Sequence, residues 1–324
     1  MTKEYLDLKM DFMFKQLFGD PRRKSITIAF LNDLLHRKEN DRITDVEYEN
    51  TELIKEALDG KTSRLDVLVH TSNGERINIE IQLSHQHDMP ERVLYYWSKL
   101  FSASLASGED YQLLPPTIMI NIVNYPLFPH ETDSFHTVFH IKEDTEHFSW
   151  SPHLEFHAID LSQFMVKWKK YKREMKQNPP KELPWLMMLS AANYQKKVFD
   201  EEIFQELEVL AMNEQEIREA LVEWENLSAN KENKELYEAR LKFLRDQLSN
   251  IRGERREGIK EGIKKGIKQG IEQGIKQGID QGLEQGKEKE RKEIIQKMLR
   301  KGMDVKTIAN ILDCSREEVE KYQG

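Results

Sequence analysis

The sequence predicts an α/β domain that is followed by a mostly helical region and a repetitive helical tail. Over the first 160 residues, short runs that alternate apolar and polar side chains, as strands do, lie between amphipathic helical patterns. From residue 161 helical patterns dominate, and after residue 250 the chain contains no convincing strand pattern. From Gly258 to Gly286 glycine recurs at every fourth position. These three observations separate a mixed domain from a helical one.

Periodicity and turn residues place the individual elements. Helices are predicted at 4–18, 23–36 and 89–106. Gly19-Asp20-Pro21 ends the first helix, and Asp88 with Pro90 forms an N-terminal signal for the third. The predicted strands are 43–50, 64–71, 76–84, 117–124, 135–141 and 154–160.

The same patterns divide the chain into four predicted parts. An α/β core is assigned to residues 1–165 and a helical extension to 166–250. A tetrapeptide repeat at 251–289, which is a helix or a linker, precedes a small module of helix-turn-helix type at 290–324. In that module Lys301-Gly302 is expected to end one helix, and Asp304 and Ser315 are expected to cap two more. The charge of −2 on residues 302–324 favours a capping or oligomerisation role over DNA contact.

Charge and composition restrict the classes of function. The formal net charge is −8, with −12 on residues 1–250 and +6 on residues 251–301. The acidic body argues against general attraction to phosphates, so nucleic-acid binding requires a local basic surface or the basic repeat. No apolar run is long enough to span a bilayer, and the N-terminus has no apolar signal segment, so we expect a cytoplasmic protein without membrane contact.

Cysteine and histidine give little support for a soft-metal site. The single cysteine, Cys314, excludes an internal disulfide and a cysteine-based zinc site. His136 and His140 share one face of a predicted strand. Without nearby thiols or regular ligand spacing, the sequence favours their interpretation as surface histidines.

The glycine repeat has two open interpretations. Each of its first six glycines is followed by isoleucine, and on a helix successive glycines are only 40° apart, so a glycine stripe runs beside an isoleucine stripe. Glycine inside a helix costs about 1 kcal/mol relative to alanine, so either packing on the stripe offsets this cost or the segment is only partly helical. The repeat is a polar spacer or a self-associating helix, and on the second interpretation we expect a homo-oligomer.

Residues 64–84 form a predicted β-hairpin around the turn Ser72-Asn73-Gly74. The length of its loop decides which residues face each other. A two-residue Asn-Gly loop would pair Val67 with Glu80, and it would place Asp66 on the opposite face of the hairpin.

A three-residue loop gives a different pairing. With Gly74 in the left-handed conformation, Asp66 lies opposite Glu80 and Arg64 lies opposite Gln82. The apolar side chains of both strands then share the other face, so the sequence favours this register. It predicts two neighbouring carboxylates on one face of the hairpin.

Two facing carboxylates repel each other unless a shared proton, a basic neighbour or a divalent cation offsets their charge. Mg²⁺ binds through one or two carboxylates together with waters and phosphate oxygens. The pair is therefore either a metal site or part of an exposed face on which Arg64 screens both acids. Hairpin spacing alone favours the screened face.

The residues around this hairpin carry a resemblance to a known family. Asp66 with Glu80-Ile81-Gln82 resembles the Asp…(Asp/Glu)-x-Lys core of the PD-(D/E)XK nuclease superfamily, with glutamine in the position of the lysine. Three further segments are similar to its Rpn branch of bacterial recombination-promoting nucleases and putative transposases: 11–19, 92–96 and 108–111. The resemblance covers roughly residues 1–250.

The resemblance implies a mixed central sheet flanked by helices, and divalent-metal-dependent hydrolysis of DNA that promotes recombination. The implied cofactor is Mg²⁺, or Mn²⁺ or Ca²⁺ in its place. The implied catalytic residues are Asp11, Asp66, Glu80 and Gln82. The implied metal ligands are Asp66, Glu80 and the main-chain carbonyl of Ile81.

The candidates for substrate binding are Lys15, Arg64, Arg92 and Tyr96. Arg92 and Tyr96 share one face of the third predicted helix. Either both side chains contact phosphate or sugar, or the tyrosine packs in the core. Gln82 departs from the superfamily pattern because glutamine can orient a water molecule but has neither charge nor a basic form. Positive charge would then come from Lys15 or Arg92.

Two further functions stay open at the level of sequence. One is a catalytically impaired DNA-binding or assembly protein on a nuclease scaffold, which self-associates through the repeat. Gln82, the acidic body and the basic repeat favour this function. A nuclease that acts on RNA is the third, since nothing in the sequence distinguishes recognition of ribose from recognition of deoxyribose.

Overall fold

A computed structural model describes residues 5–49, 66–83, 88–194 and 198–322. The chain divides into two compact units, residues 1–242 and 243–324. The first unit contains the described strands, and the second is helical. The predicted four-part division is finer than this and stays a prediction.

A six-stranded mixed sheet forms the centre of the first unit. Its strands are β1 (Val46–Tyr48), β2 (Val67–Thr71), β3 (Arg76–Gln82), β4 (Thr117–Val123), β5 (His136–His140) and β6 (Leu154–Asp160). The strand order is β1-β2-β3-β4-β6-β5, with β3, β4 and β6 parallel to one another. The other neighbouring pairs are antiparallel. The mixed sheet confirms the predicted fold class.

Helices precede, connect and follow these strands. They are α1 (Asp11–Phe18), α2 (Lys24–Leu34), α3 (Met89–Ser102), α4 (Leu161–Gln177), α5 (Leu183–Ala191), α6 (Glu201–Ala211), α7 (Gln215–Ala229), α8 (Lys231–Arg300), α9 (Val305–Ile311) and α10 (Arg316–Glu320). None of the described helices combines the length and the apolar character needed to cross a bilayer.

The central hairpin has the predicted three-residue loop. Val67 pairs with Ile79, and Gly74 has a φ of 74°, which glycine adopts without steric cost. Continued by one residue, this register places Asp66 opposite Glu80. Arg64, which was expected to face Gln82, lies outside the described residues.

Both faces of the hairpin are buried, so the interpretation as an exposed, screened face is wrong. One face carries the predicted apolar side chains, including Val67 and Ile79. Helix α3 covers the other face, where Leu68 joins an apolar cluster with Met89, Val93, Tyr96, Leu100, Met119, Val123 and Tyr125. Because Leu68 lies on this face, the predicted segregation of apolar side chains is incomplete.

The N-terminal segment differs from the prediction of a helix over 4–18, because α1 begins only at Asp11. In residues 5–10 several main-chain groups bind partners that are distant in sequence. Leu6 donates to Ser228 Oγ at 3.1 Å, and its carbonyl accepts from Trp224 Nε1 at 2.8 Å. Tertiary hydrogen bonds to α7 therefore replace the first turns of the expected helix.

The remaining differences concern element ends and one short ladder. Several of the other described elements begin or end one to four residues inside their predicted bounds. Asp88 makes no side-chain cap bond at the start of α3. Residues 50, 64, 65 and 84 of the predicted strands lie outside the described residues. The strands β7 (Ala192–Asn193) and β8 (Val198–Phe199) form a small ladder within a region predicted to be helical. Two residues per strand are too few to produce a recognisable alternation.

The glycine repeat is helical and forms part of α8, which includes the segment predicted to start the C-terminal module. A Cβ atom added at any glycine from Gly258 to Gly286 would meet no atom within 4 Å. Beyond α8, Gly302 has a φ of 82°, and Asp304 and Ser315 accept the capping bonds predicted for them. The predicted ends and caps of this module are confirmed.

Candidate active site

Asp66 and Glu80 face each other at the open end of the hairpin. Asp66 Oδ2 accepts a hydrogen bond of 2.9 Å from the main-chain N–H of Ile81, the residue after Glu80. The side chain of Asp66 is 9% exposed, and Glu80 is 4% exposed. The predicted pairing therefore produces two buried carboxylates on one face of the sheet, beneath α3.

Burial makes both acids unusually weak. Desolvation, with a smaller contribution from the charge of Asp11, raises the pKa of Asp66 to about 6. Desolvation, followed by the charge of Asp66, raises the pKa of Glu80 to about 7. The N–H of Ile81 and the charge of Lys15 lower the pKa of Asp66 by less than burial raises it. Burial therefore disfavours the ionised forms of both acids by more than their protein neighbours stabilise those forms.

Helix α1 brings one acid and one base to this pair. Lys15 Nζ lies 3.6 Å from Asp66 Oδ1 and is partly exposed. Asp11, four residues earlier on the same helix face, accepts a 2.7 Å hydrogen bond from Arg240. Asp11 thus lies at the edge of the site, bound to α8, and Lys15 contacts the site directly.

The close approach of α1 to the hairpin requires a glycine at its end. A Cβ atom at Gly19 would lie 2.8 Å from the carbonyl oxygen of Lys15 and 3.2 Å from Cγ2 of Val67. Neither contact is sterically acceptable without movement of the backbone or of the strand. A glycine at position 19 therefore permits this close approach of the end of α1 to β2.

We expect Gly19→Ala to destabilise the first unit by about 1–3 kcal/mol, because the backbone at the end of α1 must shift to clear the Lys15 carbonyl and the Val67 side chain. The measurement is urea unfolding followed by tryptophan fluorescence, since all five tryptophans lie in residues 1–242. Gly270→Ala is the matched control, because nothing lies near its added methyl group and it should leave this transition unchanged. Equal midpoints for Gly19→Ala and wild type would contradict the packing argument.

Gln82 and Arg92 form a second polar contact beside the acids. With the amide oxygen of Gln82 turned toward the guanidinium, it accepts from Arg92 at 3.0 and 3.3 Å. Arg92 also lies over the ring of Tyr96, 5.6 Å from its centre. Tyr96 of α3 is 7% exposed and belongs to the apolar cluster between α3 and the sheet, which supports the interpretation that it packs in the core. Contact of either residue with a substrate stays a prediction.

Two asparagines that the sequence analysis did not single out complete the site. Asn78 Nδ2 donates to Glu80 at 3.3 Å, and Asn121 of β4 pairs with Glu80 in the parallel register. The side-chain oxygens of both asparagines are buried and have no hydrogen-bond partner within the described part of the chain. Asn78 lies two residues before Glu80, so the sequence could have placed both side chains on one face of the strand. The sequence does not show which strand pairs with β3, so Asn121 could not be predicted.

This donor set fits a hard divalent cation. Two buried carboxylates and two unpartnered amide oxygens are the ligand types that Mg²⁺ and Ca²⁺ prefer. Asp11 does not join Asp66 and Glu80 in a tight triad. Among the described residues, a single group has three potential ligand atoms within 4.8 Å of one another, and it contains none of these three acids. The assignment of metal ligands, including the carbonyl of Ile81, stays a prediction.

A mixed sheet whose central hairpin carries an Asp and a Glu-x-Gln at neighbouring positions defines a PD-(D/E)XK nuclease-like core. The chain belongs to the PD-(D/E)XK nuclease family transposases, whose family profile matches residues 8–254. This match confirms the resemblance seen in the sequence. Nucleases of this superfamily use divalent metal ions. No curated protein and no solved structure matches the chain significantly.

The raised pKa values predict an unusual pH dependence for the metal-free protein. The ordinary values of 3.8 and 4.5 become about 6 for Asp66 and about 7 for Glu80. Between pH of about 4 and 7 the folded state binds more protons at these groups than the unfolded state, so their contribution to stability falls as the pH rises. Above about pH 8 both states are ionised and the contribution is constant.

The measurement is the melting temperature of EDTA-treated protein at pH 5 and pH 8. We expect wild type to lose more stability across this range than the double variant Asp66→Asn/Glu80→Gln, which has no carboxyl group to titrate at either position. The same pH difference in both proteins would show that the two acids are not desolvated.

Proposed function

We propose that this protein is a Mg²⁺-dependent endonuclease that hydrolyses phosphodiester bonds of DNA at the Asp66/Glu80/Gln82 site and thereby promotes recombination. The observation that carries the proposal is the buried, facing pair of carboxylates at the superfamily's motif positions. The expected cytoplasmic location stays a prediction.

In this proposal Asp66 and Glu80 hold the cation, with the carbonyl of Ile81 beside them. When bound, a divalent ion polarises the phosphoryl group and neutralises the charge that develops on it. The N–H of Ile81 fixes the orientation of the Asp66 carboxylate. Lys15, at 3.6 Å, favours the ionised form of Asp66 that a cation needs.

Gln82 and Arg92 together take the place of the superfamily lysine. Because the amide oxygen of Gln82 accepts from the Arg92 guanidinium, its NH₂ group is the part that remains to donate. Gln82 can thus hold an attacking water or a phosphate oxygen, although it cannot accept a proton. Arg92 supplies the positive charge that glutamine lacks, from α3 instead of from β3.

We expect Arg92→Gln to lower kcat of DNA cleavage by about 10²-fold, the usual cost of one electrostatic group in an active site. The double variant Gln82→Lys/Arg92→Gln should recover part of this loss, because it returns a cation to the motif position. Lys99→Gln, on the same helix beside Tyr95, is the matched control and should retain activity. Equal rates for wild type and Arg92→Gln would contradict the role of Arg92.

The choice of DNA over RNA is tested by side-by-side cleavage of a plasmid and of a single-stranded RNA by wild type. The proposal predicts metal-dependent nicking or linearisation of the plasmid that Asp66→Asn abolishes. Cleavage restricted to RNA would replace DNA as the substrate and leave the site assignment in place.

We also propose that α8 pairs with the α8 of a second copy along its isoleucine–glycine face. Seven side chains of the repeat are each 54–59% exposed on this helix: Ile259, Ile263, Ile267, Ile271, Ile275, Ile279 and Leu283. Light scattering of the full chain should show an oligomer, and Ile→Gln changes at 267 and 271 should reduce its mass. A monomeric wild type would favour the spacer interpretation of the repeat.

A further inference from the structure

A second group of metal-ligating side chains lies on the other face of the sheet. Glu80, Asn121 and Ala158 follow one another across β3, β4 and β6 and share the face beneath α3. Ile159 therefore points to the opposite face, and His136 of β5 pairs with it. His136 belongs to a group with two residues from outside the sheet, His36 and Glu182. This group is separate from the candidate active site.

His36, His136 and Glu182 converge from three distant parts of the first unit. His36 follows α2, His136 begins β5, and Glu182 precedes α5. The side chains of His136 and Glu182 are 7% and 5% exposed, whereas that of His36 is half exposed. The interpretation of His136 as a surface histidine is thus wrong, because residues after α2 and before α5 cover its side chain, whereas His140 on the same strand face is exposed as predicted.

The distances within the group are close to those of a tetrahedral site. One ligand atom of each residue lies within 4.8 Å of the other two. His36 Nδ1 is 3.5 Å from Glu182 Oε2, and His136 Nδ1 is 3.7 Å from Glu182 Oε1. Ligands about 2.0–2.1 Å from a tetrahedral zinc ion are roughly 3.4 Å apart, so small side-chain movements suffice. Oε2 of Glu182 is buried and accepts no hydrogen bond from the residues that the structure describes.

A chain of hydrogen bonds fixes which nitrogen of His136 carries the hydrogen. His157 Nε2 lies 2.7 Å from Glu155 Oε1, so a neutral His157 donates there and accepts at Nδ1. His136 Nε2, 2.8 Å from His157 Nδ1, must then donate its hydrogen to it. In neutral His136 this leaves the lone pair of Nδ1 facing the Glu182 carboxylate.

A lone pair opposite a buried carboxylate is an unfavourable contact that a cation between them would reverse. The bond from His136 to His157 also has the form of an outer-shell contact, in which a metal-binding imidazole donates its other N–H to an acceptor. His36 has a φ of 52°, a left-handed conformation that histidine adopts more often than most residues, at a position just after α2. That conformation places its imidazole 5.5 Å, centre to centre, from that of His136.

We propose that His36, His136 and Glu182 bind a divalent transition-metal ion, best represented by Zn²⁺, with water at the fourth position. Two imidazoles and one carboxylate are a zinc donor set, and the exposure of His36 leaves room for a water ligand. The same set is poor for Mg²⁺, which prefers oxygen. The ion would join the end of α2, β5 and the start of α5, and so would stabilise the folded first unit.

The test uses the full chain after treatment with EDTA and exchange into metal-free buffer. Binding of Zn²⁺ is followed by titration calorimetry and by the melting temperature, with Co²⁺ absorption as a report of tetrahedral nitrogen ligands. At a hundredfold excess of free Zn²⁺ over Kd we expect the melting temperature of wild type to rise by roughly 5–10 °C. In Asp66→Asn, which lacks the carboxylate pair of the proposed nuclease site, Mg²⁺ at the same concentration should leave the melting temperature unchanged, whereas Zn²⁺ should still raise it.

Two variants remove ligands without threatening the fold. Asparagine tolerates a positive φ, so His36→Asn keeps the backbone, and Glu182→Gln keeps the side-chain volume. Each should weaken Zn²⁺ binding at this site at least about tenfold. His70→Asn is the matched control, since His70 is half exposed and lies 2.7 Å from Glu49 but belongs to no three-ligand group among the residues that the structure describes. Asp66→Asn should retain this Zn²⁺ site, which separates it from the proposed nuclease site.

Equal Zn²⁺ affinity and melting shift in wild type and His36→Asn would overturn the proposal. So would an absence of zinc-induced stabilisation in a folded wild type, because the three residues would then form only an ion pair with a protonated histidine. Loss of the tetrahedral Co²⁺ spectrum in Glu182→Gln, but not in His70→Asn, would support it.

Discussion

Asp66→Asn and Glu80→Gln are each expected to lower metal-dependent cleavage of plasmid DNA by at least roughly 10²–10³-fold. Each change removes one of two facing carboxylates and, with it, the charge that holds a divalent cation beside the phosphate. The measurement is the initial rate of plasmid nicking in Mg²⁺ or Mn²⁺. Asp45→Asn is the matched control, because Asp45 is an exposed acid next to the same hairpin and pairs only with Lys24 among the described residues.

The same variants should keep or raise the stability of the metal-free protein. Each replaces a buried carboxyl group of raised pKa with a neutral group of the same size, so it removes a desolvated charge at neutral pH. A loss of activity with an unchanged or higher melting temperature therefore identifies a functional role. Cleavage at the wild-type rate by both variants would contradict the site, and a large fall in melting temperature would indicate a structural role instead.

Lys9→Met is expected to destabilise the first unit by about 3–5 kcal/mol, the usual cost of removing one partner from a buried ion pair. Lys9 is 2% exposed, and its Nζ donates to the carbonyls of Leu189 at 2.8 Å and Ala192 at 2.5 Å. It also lies 2.8 Å from Asp7 Oδ1. Methionine would leave a buried carboxylate without its cation and two carbonyls at the end of α5 without their donor.

The measurement is thermal unfolding followed by tryptophan fluorescence, where this loss corresponds to a fall in melting temperature of roughly 6–20 °C. Lys24→Met is the matched control, because its ion pair with Asp45 is exposed and worth no more than about 1 kcal/mol. Equal melting temperatures for Lys9→Met and Lys24→Met would contradict the argument that the Lys9 contacts hold the N-terminal segment to α5.

The hairpin and its acid pair could be predicted because their determinants are local. The alternation of residues, one loop and one glycine decide whether Asp66 faces Glu80, and all of these lie within some twenty residues. The helix caps at Asp304 and Ser315 were predictable for the same reason. Periodicity also found the six strands of the sheet, although not their order.

The parts of the site that sequence could not supply depend on contacts between distant segments. Asn121 comes beside Glu80 only through the parallel pairing of β3 and β4, and Arg92 reaches Gln82 only because α3 crosses this face. Lys9 binds carbonyls some 180 residues away, so the helical pattern of residues 4–10 gave no sign that tertiary bonds would replace a helix. His36 and Glu182 likewise reach His136 only in the folded unit.

The central claim is that one divalent cation binds between Asp66 and Glu80. Anomalous diffraction from crystals of the full chain grown with Mn²⁺ tests it most directly. We expect a manganese peak within coordination distance of carboxylate oxygens from both residues, and no such peak in Asp66→Asn. A Mn²⁺ concentration that supports cleavage but leaves no peak between these two side chains would contradict the claim.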